Sequence, residues 1–317
     1  MMKPWIPMLL VCGLTACGGG SSSGSGGGSA PETSPPANST PPSGKVNASN
    51  FQDVAAQAYS SAESLGNLQE ASSDSSGVAA QARPARPMMQ ASAALSLTCS
   101  GGGSMVMDIV DINGDQVASK AGEGYRIDYA ACKSFGSLWQ NGGITTTLGQ
   151  DVNLTGGYPY TFRQTTQFRQ YAIDDLTDSL PAETTDGALQ HITTVSSATG
   201  FSWALTGDAL TLTSASDTRT LKSVNYTGSA QGNNYTWSAN YILGSATYGD
   251  LTVETNPVFA GVSPASPTSG RMTIKEASGS ITTIEAGPNG YAMVSFDQNG
   301  DGVAENSKQV PWSQLEI

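Results

Sequence analysis

Histidine is almost missing from this sequence: His191 is the single one in 317 residues. That scarcity removes most acid–base and metal machinery at the outset. No HExxH pair can form, and a Ser-His-Asp triad would have to use His191, with no G-x-S-x-G elbow following a credible strand. His191 lies in the strand-like stretch 189–195, on the same face as Leu189 and Val195, where a packed or rim residue is the simpler reading. Positive charge is scarce too, with 14 Lys and Arg against 26 Asp and Glu, a formal net charge of −12. A chain so acidic lacks the basic footprint that nucleic-acid binding needs, and surface charge will not draw it to anionic lipid. No run of eighteen apolar residues exists, so no segment reads as a membrane-spanning helix. The four cysteines show no CxxC spacing of the kind a metal or redox site uses.

What is present is unevenly spread. Lys3 and the apolar run from Trp5 to Leu14 have the layout of a short secretory signal, followed by small residues. The stretch Leu14-Thr15-Ala16-Cys17 resembles the lipobox of bacterial lipoprotein precursors. That resemblance covers about the first twenty residues. It implies cleavage after residue 16, a diacylglycerol thioether on Cys17, and acylation of the new N-terminus. Removal of Lys3 with the signal leaves a net charge of −13. One acyl chain binds a membrane reversibly, at about 0.8 kcal/mol per buried methylene, whereas two or three make attachment effectively permanent. Gly18 follows Cys17, and in enteric bacteria an aspartate there marks inner-membrane retention, so the resemblance points to the outer membrane. With Cys12 lost and Cys17 lipidated, Cys99 and Cys132 remain in an oxidising compartment, where a disulfide is expected. Closing a loop of that length stabilises by about 3.8 kcal/mol in the chain-entropy model.

Residues 18–45 are almost entirely Gly, Ser, Pro and Thr and read, with Cys17, as a lipidated tether. Its root-mean-square span is roughly 29 Å and its full reach about 90 Å. Within 46–70 an amphipathic helix is expected over 47–66. Asn47 or Ser49 would cap it, Gly66 would stop it, and Phe51, Val54, Ala55, Ala58, Ala62 and Leu65 form its narrow apolar stripe. Residues 71–94, with Arg83-Pro84-Ala85-Arg86-Pro87, read as an extended connector.

From residue 95 to 317 the period changes to two. Tyr158, Tyr160, Phe162 and Phe168 share a face, as do Tyr235, Trp237, Ala239, Tyr241 and Leu243. Turn signals separate the runs at Asn141-Gly142-Gly143, Thr206-Gly207-Asp208, Gly232-Asn233-Asn234 and Pro288-Asn289-Gly290. Alternation with short connections predicts a mainly β, antiparallel meander. One apolar face per strand needs a cover, so the sheet is expected to curl into a partial barrel around the helix, or else to form a two-sheet sandwich.

The sharpest local motif is Asp297-Gln298-Asn299-Gly300-Asp301-Gly302-Val303-Ala304-Glu305. Oxygen ligands at alternate positions with glycine at the sixth resemble the start of an EF-hand calcium loop. Calcium would take Asp297, Asn299, Asp301, the Val303 carbonyl and Glu305, although Lys308 stands where the bidentate glutamate belongs. A weaker echo, Asp111-Ile112-Asn113-Gly114-Asp115, suggests equivalent hairpins near both ends of the domain. Asp174, Asp175, Asp178 and Glu183 offer a carboxylate pair for glycoside hydrolysis, and Trp139, Tyr158 and Tyr171 a sugar-stacking platform. A solvated turn and core packing are the simpler readings of each. The expected function is therefore an outer-membrane lipoprotein, not an enzyme, that acts by binding or structural contact in the envelope. The partner would be an envelope protein; a carrier of a lipid or other hydrophobic ligand is the alternative, and a hydrolase the lesser one.

Overall fold

The computed structural model describes residues 46–81, 94–114, 118–134, 138–152, 158–175, 182–215, 217–263 and 265–316. Expectations that concern the signal, Cys17, the tether and residues 82–93 lie outside them. After helix α1 (Phe51–Gln81) come β1 (Leu95–Thr98), β2 (Ser104–Val110), β3 (Gly124–Ser134), β4 (Leu138–Leu148) and β5 (Tyr160–Asp175). Then follow β6 (Glu183–Ser197), β7 (Gly200–Thr213), β8 (Thr218–Gln231), β9 (Asn234–Ser245) and β10 (Gly249–Thr255). The last are β11 (Phe259–Val262), β12 (Arg271–Glu276), β13 (Ile281–Ala286), β14 (Tyr291–Asp297) and β15 (Asn306–Pro311). All belong to one antiparallel sheet that runs in chain order from β1 to β15, with β11 set aside against β9. The order is a path with two free ends, so the sheet is neither a closed barrel nor a two-sheet sandwich.

The curl comes from a line of β-bulges. Register shifts lie between Tyr129 and Cys132, Asn141 and Gly143, Phe168 and Tyr171, Gly187 and Gln190, and Lys222 and Asn225. At these points Ala131, Gly142, Gln170, Gly187 and Ser223 all have positive φ. An extra residue leaves the ladder unpaired, bends its strand and increases the local twist. Repeated on neighbouring strands, the bends add into one crease across the sheet. The left-handed conformations are held by side chains next door: the Gln170 amide donates to Asp186 Oδ1 at 2.8 Å, and the Ala131 amide to Asn141 Oδ1 at 3.2 Å.

Two of the expected turns are corrected by this crease. Asn141-Gly142-Gly143 lies inside β4 and Thr206-Gly207-Asp208 inside β7. Gly142, at φ 84°, takes a conformation that costs other residues strain, and a Cβ there would collide with the Gln170 carbonyl. The turn-forming residues mark where strands bend, not where they end. Gly232-Asn233 does join β8 to β9, and Pro288–Gly290 forms a 3₁₀ turn between β13 and β14.

The helix also departs from expectation, running to Gln81 instead of ending near Gly66. Gly66 faces the Tyr226 hydroxyl, which a Cβ would approach to 3.2 Å, so its smallness serves contact with the sheet. Beyond it Leu68, Ala71 and Ser72 stay buried, and Gln164 Nε2 donates to the Ser72 carbonyl at 3.2 Å. Burial of those residues overrides the weak helix propensity of Gly and Ser. Asn47 ties the turn ahead of the helix, where its Oδ1 accepts the Ser49 amide at 2.8 Å.

α1 crosses the concave face from the last strands toward the first. Phe51 stacks on Phe296 of β14, Tyr59 meets Trp237 of β9 and Phe259 of β11, and Ser72 reaches β5. Because the sheet curves around it, Val54, Ala55, Ala56, Ala58, Tyr59, Ser60, Ser61 and Ala62 are all buried, which is more than one stripe. The domain thus has a single core, between helix and creased sheet.

Candidate functional site

Aromatic rings collect at one end of the concave face because two residue rows line up across five strands. One row runs Tyr160, Val195, Phe201, Ala230, Tyr235; the next runs Phe162, Thr193, Trp203, Gly228, Trp237. A Cβ on Gly228 would collide with the Trp203 indole, so the bare glycine is what lets that ring lie against β8. From Trp203 the rings continue to Tyr226 at 6.5 Å, Trp237 at a further 6.2 Å and Phe259 at a further 4.6 Å. Toward β5 the belt emerges. Tyr158, 54% exposed, stacks on Tyr160 at 5.6 Å, and Tyr160 meets Phe162 edge-on at 5.1 Å. Tyr160, Phe162 and Phe201 are half-buried, so with Tyr158 they form an uncharged ledge with two phenolic hydroxyls. Burial and the neighbouring Tyr158 push the Tyr160 hydroxyl above the usual tyrosine range.

Deeper in, polar groups fasten the helix to the sheet. Arg219 of β8 pairs with Glu183 of β6, approaches Asp217 at 3.7 Å, and donates to Ser60 Oγ at 2.7 Å, Ser61 Oγ at 3.1 Å and the Gln57 carbonyl at 3.3 Å. Ser64 Oγ donates to Glu183 at 2.8 Å, and the Tyr241 hydroxyl donates to the Ala58 carbonyl. Glu63 faces the aromatic belt. Burial raises its carboxyl well above the ordinary range, the Glu316 carboxylate adds to that, and the Tyr59 hydroxyl acts in the opposite sense. His191, 2% exposed, lies between Gln164 Nε2 at 3.2 Å and Thr193 Oγ1 at 2.8 Å. Gln164 serves as donor to Nδ1, which assigns the proton to Nε2 and its bond to Thr193. Burial lowers His191 to about 4, so it is neutral at pH 7. It is a packed residue, as its strand position predicts.

The two Asp-x-Asn-Gly loops each join neighbouring antiparallel strands, β2 to β3 and β14 to β15, the first connection being the longer. In both, the first aspartate accepts the glycine amide three residues on, Gly114 to Asp111 and Gly300 to Asp297, at 2.7 Å. Asp297 also accepts the Gly302 amide at 2.7 Å, and Glu305 accepts the Gln298 amide at 2.7 Å. Asp297, Asp301 and Glu305 bring one oxygen each within 4.8 Å of one another. Asn299, by contrast, turns its Oδ1 onto the Asp301 amide at 3.0 Å. The three carboxylates are suited to a hard divalent cation. In the other loop a different residue organises the backbone. Glu123, fully buried, accepts the Ile112 and Asn113 amides at 3.3 Å and the Ser119 and Lys120 amides at 2.8 Å. Burial acts to raise that carboxyl, yet the four N–H donors bring it below the usual range.

Cys99 and Cys132 form the expected disulfide, with Cα atoms 5.5 Å apart, fastening the end of β1 to β3. The suggested sugar platform is dispersed. Tyr171 is 1% exposed and accepts a bond from Gln140, while Trp139 and Tyr158 sit at opposite ends of β5. Glu183 is committed to Arg219 and Ser64, and Asp178 lies outside the described residues. Glu63, Glu123 and Arg219 escaped sequence reasoning. Glu63 lies one helical turn after Tyr59, outside the apolar stripe, so nothing in the spacing singled it out. No family model matches the chain, and comparison with curated proteins and with solved structures finds no match either.

Proposed function

We propose that this protein is a lipid-anchored component of the outer membrane that works by binding, with the ledge of Tyr158, Tyr160, Phe162 and Phe201 as its contact surface. The lipobox-like Leu14–Cys17 stretch supports the anchor, and the tether after it supports a domain standing off the membrane. The observation that carries the binding reading is the half-exposed ledge at the open end of a concave face that α1 otherwise fills. Exposed aromatics that combine flat apolar area with hydroxyl groups are strong contact residues, because little rotamer entropy is lost when they are covered. The nature of this contact also favours one form of the carrier alternative: with the helix in the trough, a hydrophobic ligand would lie across the ledge, not in an enclosed cavity.

The anchor is tested by Cys17→Ser, which is expected to move the protein from the membrane fraction to the soluble one. Retention in membranes through a high-salt wash would overturn it. The ledge is tested by a photoreactive phenylalanine analogue placed at Tyr158 and, as a control, at Lys275 on the exposed side of β12. A discrete cross-linked mass is expected in intact cells from position 158 alone; equal yields at the two positions, or none at either, would remove the ledge from the function.

A further inference from the structure

Charge is confined to parts of this sheet. Residues 158–162, 192–207, 223–240 and 256–263 contain no Asp, Glu, Lys or Arg, although 13% of the chain is charged. Strand pairing gathers those stretches at one end of β5–β9 and β11. Ion pairs of the same strands lie at the opposite end, where Arg219 meets Glu183 and Lys222 meets Asp250 at 2.9 Å. Residue 46 is held at that charged end too, its amide donating to Glu276 Oε2 at 3.4 Å beside the turn between β12 and β13. The uncharged rim is therefore the end remote from residue 46. It carries the ledge of Tyr158, Tyr160, Phe162 and Phe201, and next to it the β6–β7 and β8–β9 turns expose Thr199 and Gln231. Gln231 Nε2 donates to Thr199 Oγ1 at 3.3 Å, which ties the two turns together. On either side of the ledge along the chain, Asp151 is paired with Lys120 at 3.1 Å, and Arg163 alternates to the face opposite Phe162.

We propose that this rim binds an uncharged, extended β-linked glycan, laid across the ledge with its hydroxyls toward the two turns. The proposal rests on the ledge being the contact surface and names what it contacts. A partner of either charge would be stripped of water here with no counter-charge to meet it. A protein partner brings charge on about a quarter of its residues, so a rim without any is poorly matched to one. A hydrocarbon chain would suit the rings but leave the hydroxyls and amides beside them without water or a bond. A glycan meets both demands. Hydroxyls of Tyr and Thr donate and accept, as sugar hydroxyls do, and the Gln231 amide offers both roles. Aromatic rings give flat apolar area with a polar edge, which matches the C–H face and hydroxyl rim of a β-linked pyranose. An extended chain of such rings fits an open ledge without needing an enclosed pocket. Of the three aromatics that the sequence offered for a sugar platform, Tyr158 alone belongs here, and its neighbours are Tyr160 and Phe162.

The test is calorimetric titration of the full chain, in a detergent without a sugar headgroup, with cellohexaose and with chitohexaose. Deacetylated chitohexaose, the cationic counterpart of both, is the comparison, in about 0.3 M salt to screen attraction to the acidic surface. At least one neutral hexasaccharide is expected to bind with a dissociation constant below about 1 mM, and the cationic one about tenfold more weakly. Tyr158→Ala should weaken the neutral sugar about tenfold, as loss of an exposed aromatic anchor does, while Lys275→Ala leaves it unchanged. Because Tyr158 is 54% exposed, its truncation leaves the core intact, and an unchanged melting curve checks this. Binding of neither neutral sugar, equal binding of the cationic one, or full affinity in Tyr158→Ala would each overturn the glycan. A protein cross-linked from position 158 in cells, with no hexasaccharide bound, would keep the ledge and discard the glycan; failure of both experiments would discard both.

Discussion

His191 illustrates how a single buried group couples the fold to pH. Its imidazole is neutral because burial lowers it to about 4, whereas in an unfolded chain it would titrate near 6.5. A depressed base contributes stability that is present above about pH 6.5 and is lost as pH falls through 4. The shift corresponds to about 3 kcal/mol. Urea unfolding midpoints of wild type should therefore fall between pH 6.5 and pH 4, and those of His191→Gln should fall less; parallel curves would show that the imidazole is not what titrates. The residue itself was legible in the sequence as a strand residue facing inward. Its hydrogen bonds to Gln164 and Thr193 were not, because they join a residue 27 positions earlier to one on the same strand.

At the scale of elements, the hairpin between β14 and β15 combines a self-contained turn with a carboxylate cluster. The Gly300 and Gly302 amides already bond to Asp297, so the loop holds its shape with backbone donors alone. Three converging carboxylates nevertheless repel one another, and a divalent cation would relieve that repulsion. Calcium is thus expected to raise the thermal unfolding midpoint, and EDTA to lower it, in wild type but not in Asp301→Asn with Glu305→Gln. Superimposable melting curves in calcium and EDTA would dismiss the cation. The hairpin was readable because Asp, Asn and Gly carry turn chemistry locally. The same chemistry misled at Asn141–Gly143 and Thr206–Asp208. A glycine-rich bulge and a glycine-rich turn need the same backbone freedom, and only the neighbouring strands distinguish them.

The whole molecule is held together by a helix that touches strands far apart in the sheet. Phe51 reaches β14, Arg219 clamps the middle turns to β8 and β6, and Gln164 of β5 bonds the carbonyl of Ser72. An open sheet this long would otherwise rely on neighbour-to-neighbour pairing, so the helix is what couples its two ends. Arg219→Ala removes one member of a buried pair and leaves Glu183 uncompensated, which costs about 3–5 kcal/mol. The expectation is a single unfolding transition shifted to lower urea with its slope kept. A first transition confined to one end of the sheet would show that the helix does not make the domain one cooperative unit.

Period-two alternation from residue 95 onward determined a β-meander. The Cys99–Cys132 bond was expected once the lipobox resemblance set Cys12 and Cys17 aside. These properties are set by residue type and short-range spacing, which a sequence displays directly. The tertiary structure decided the crease, the length of α1 past Gly66, the aromatic ledge, and the clamp of Arg219 on α1. Each depends on which strands become neighbours, and a row of residues across five strands has no pattern along the chain until those strands are paired.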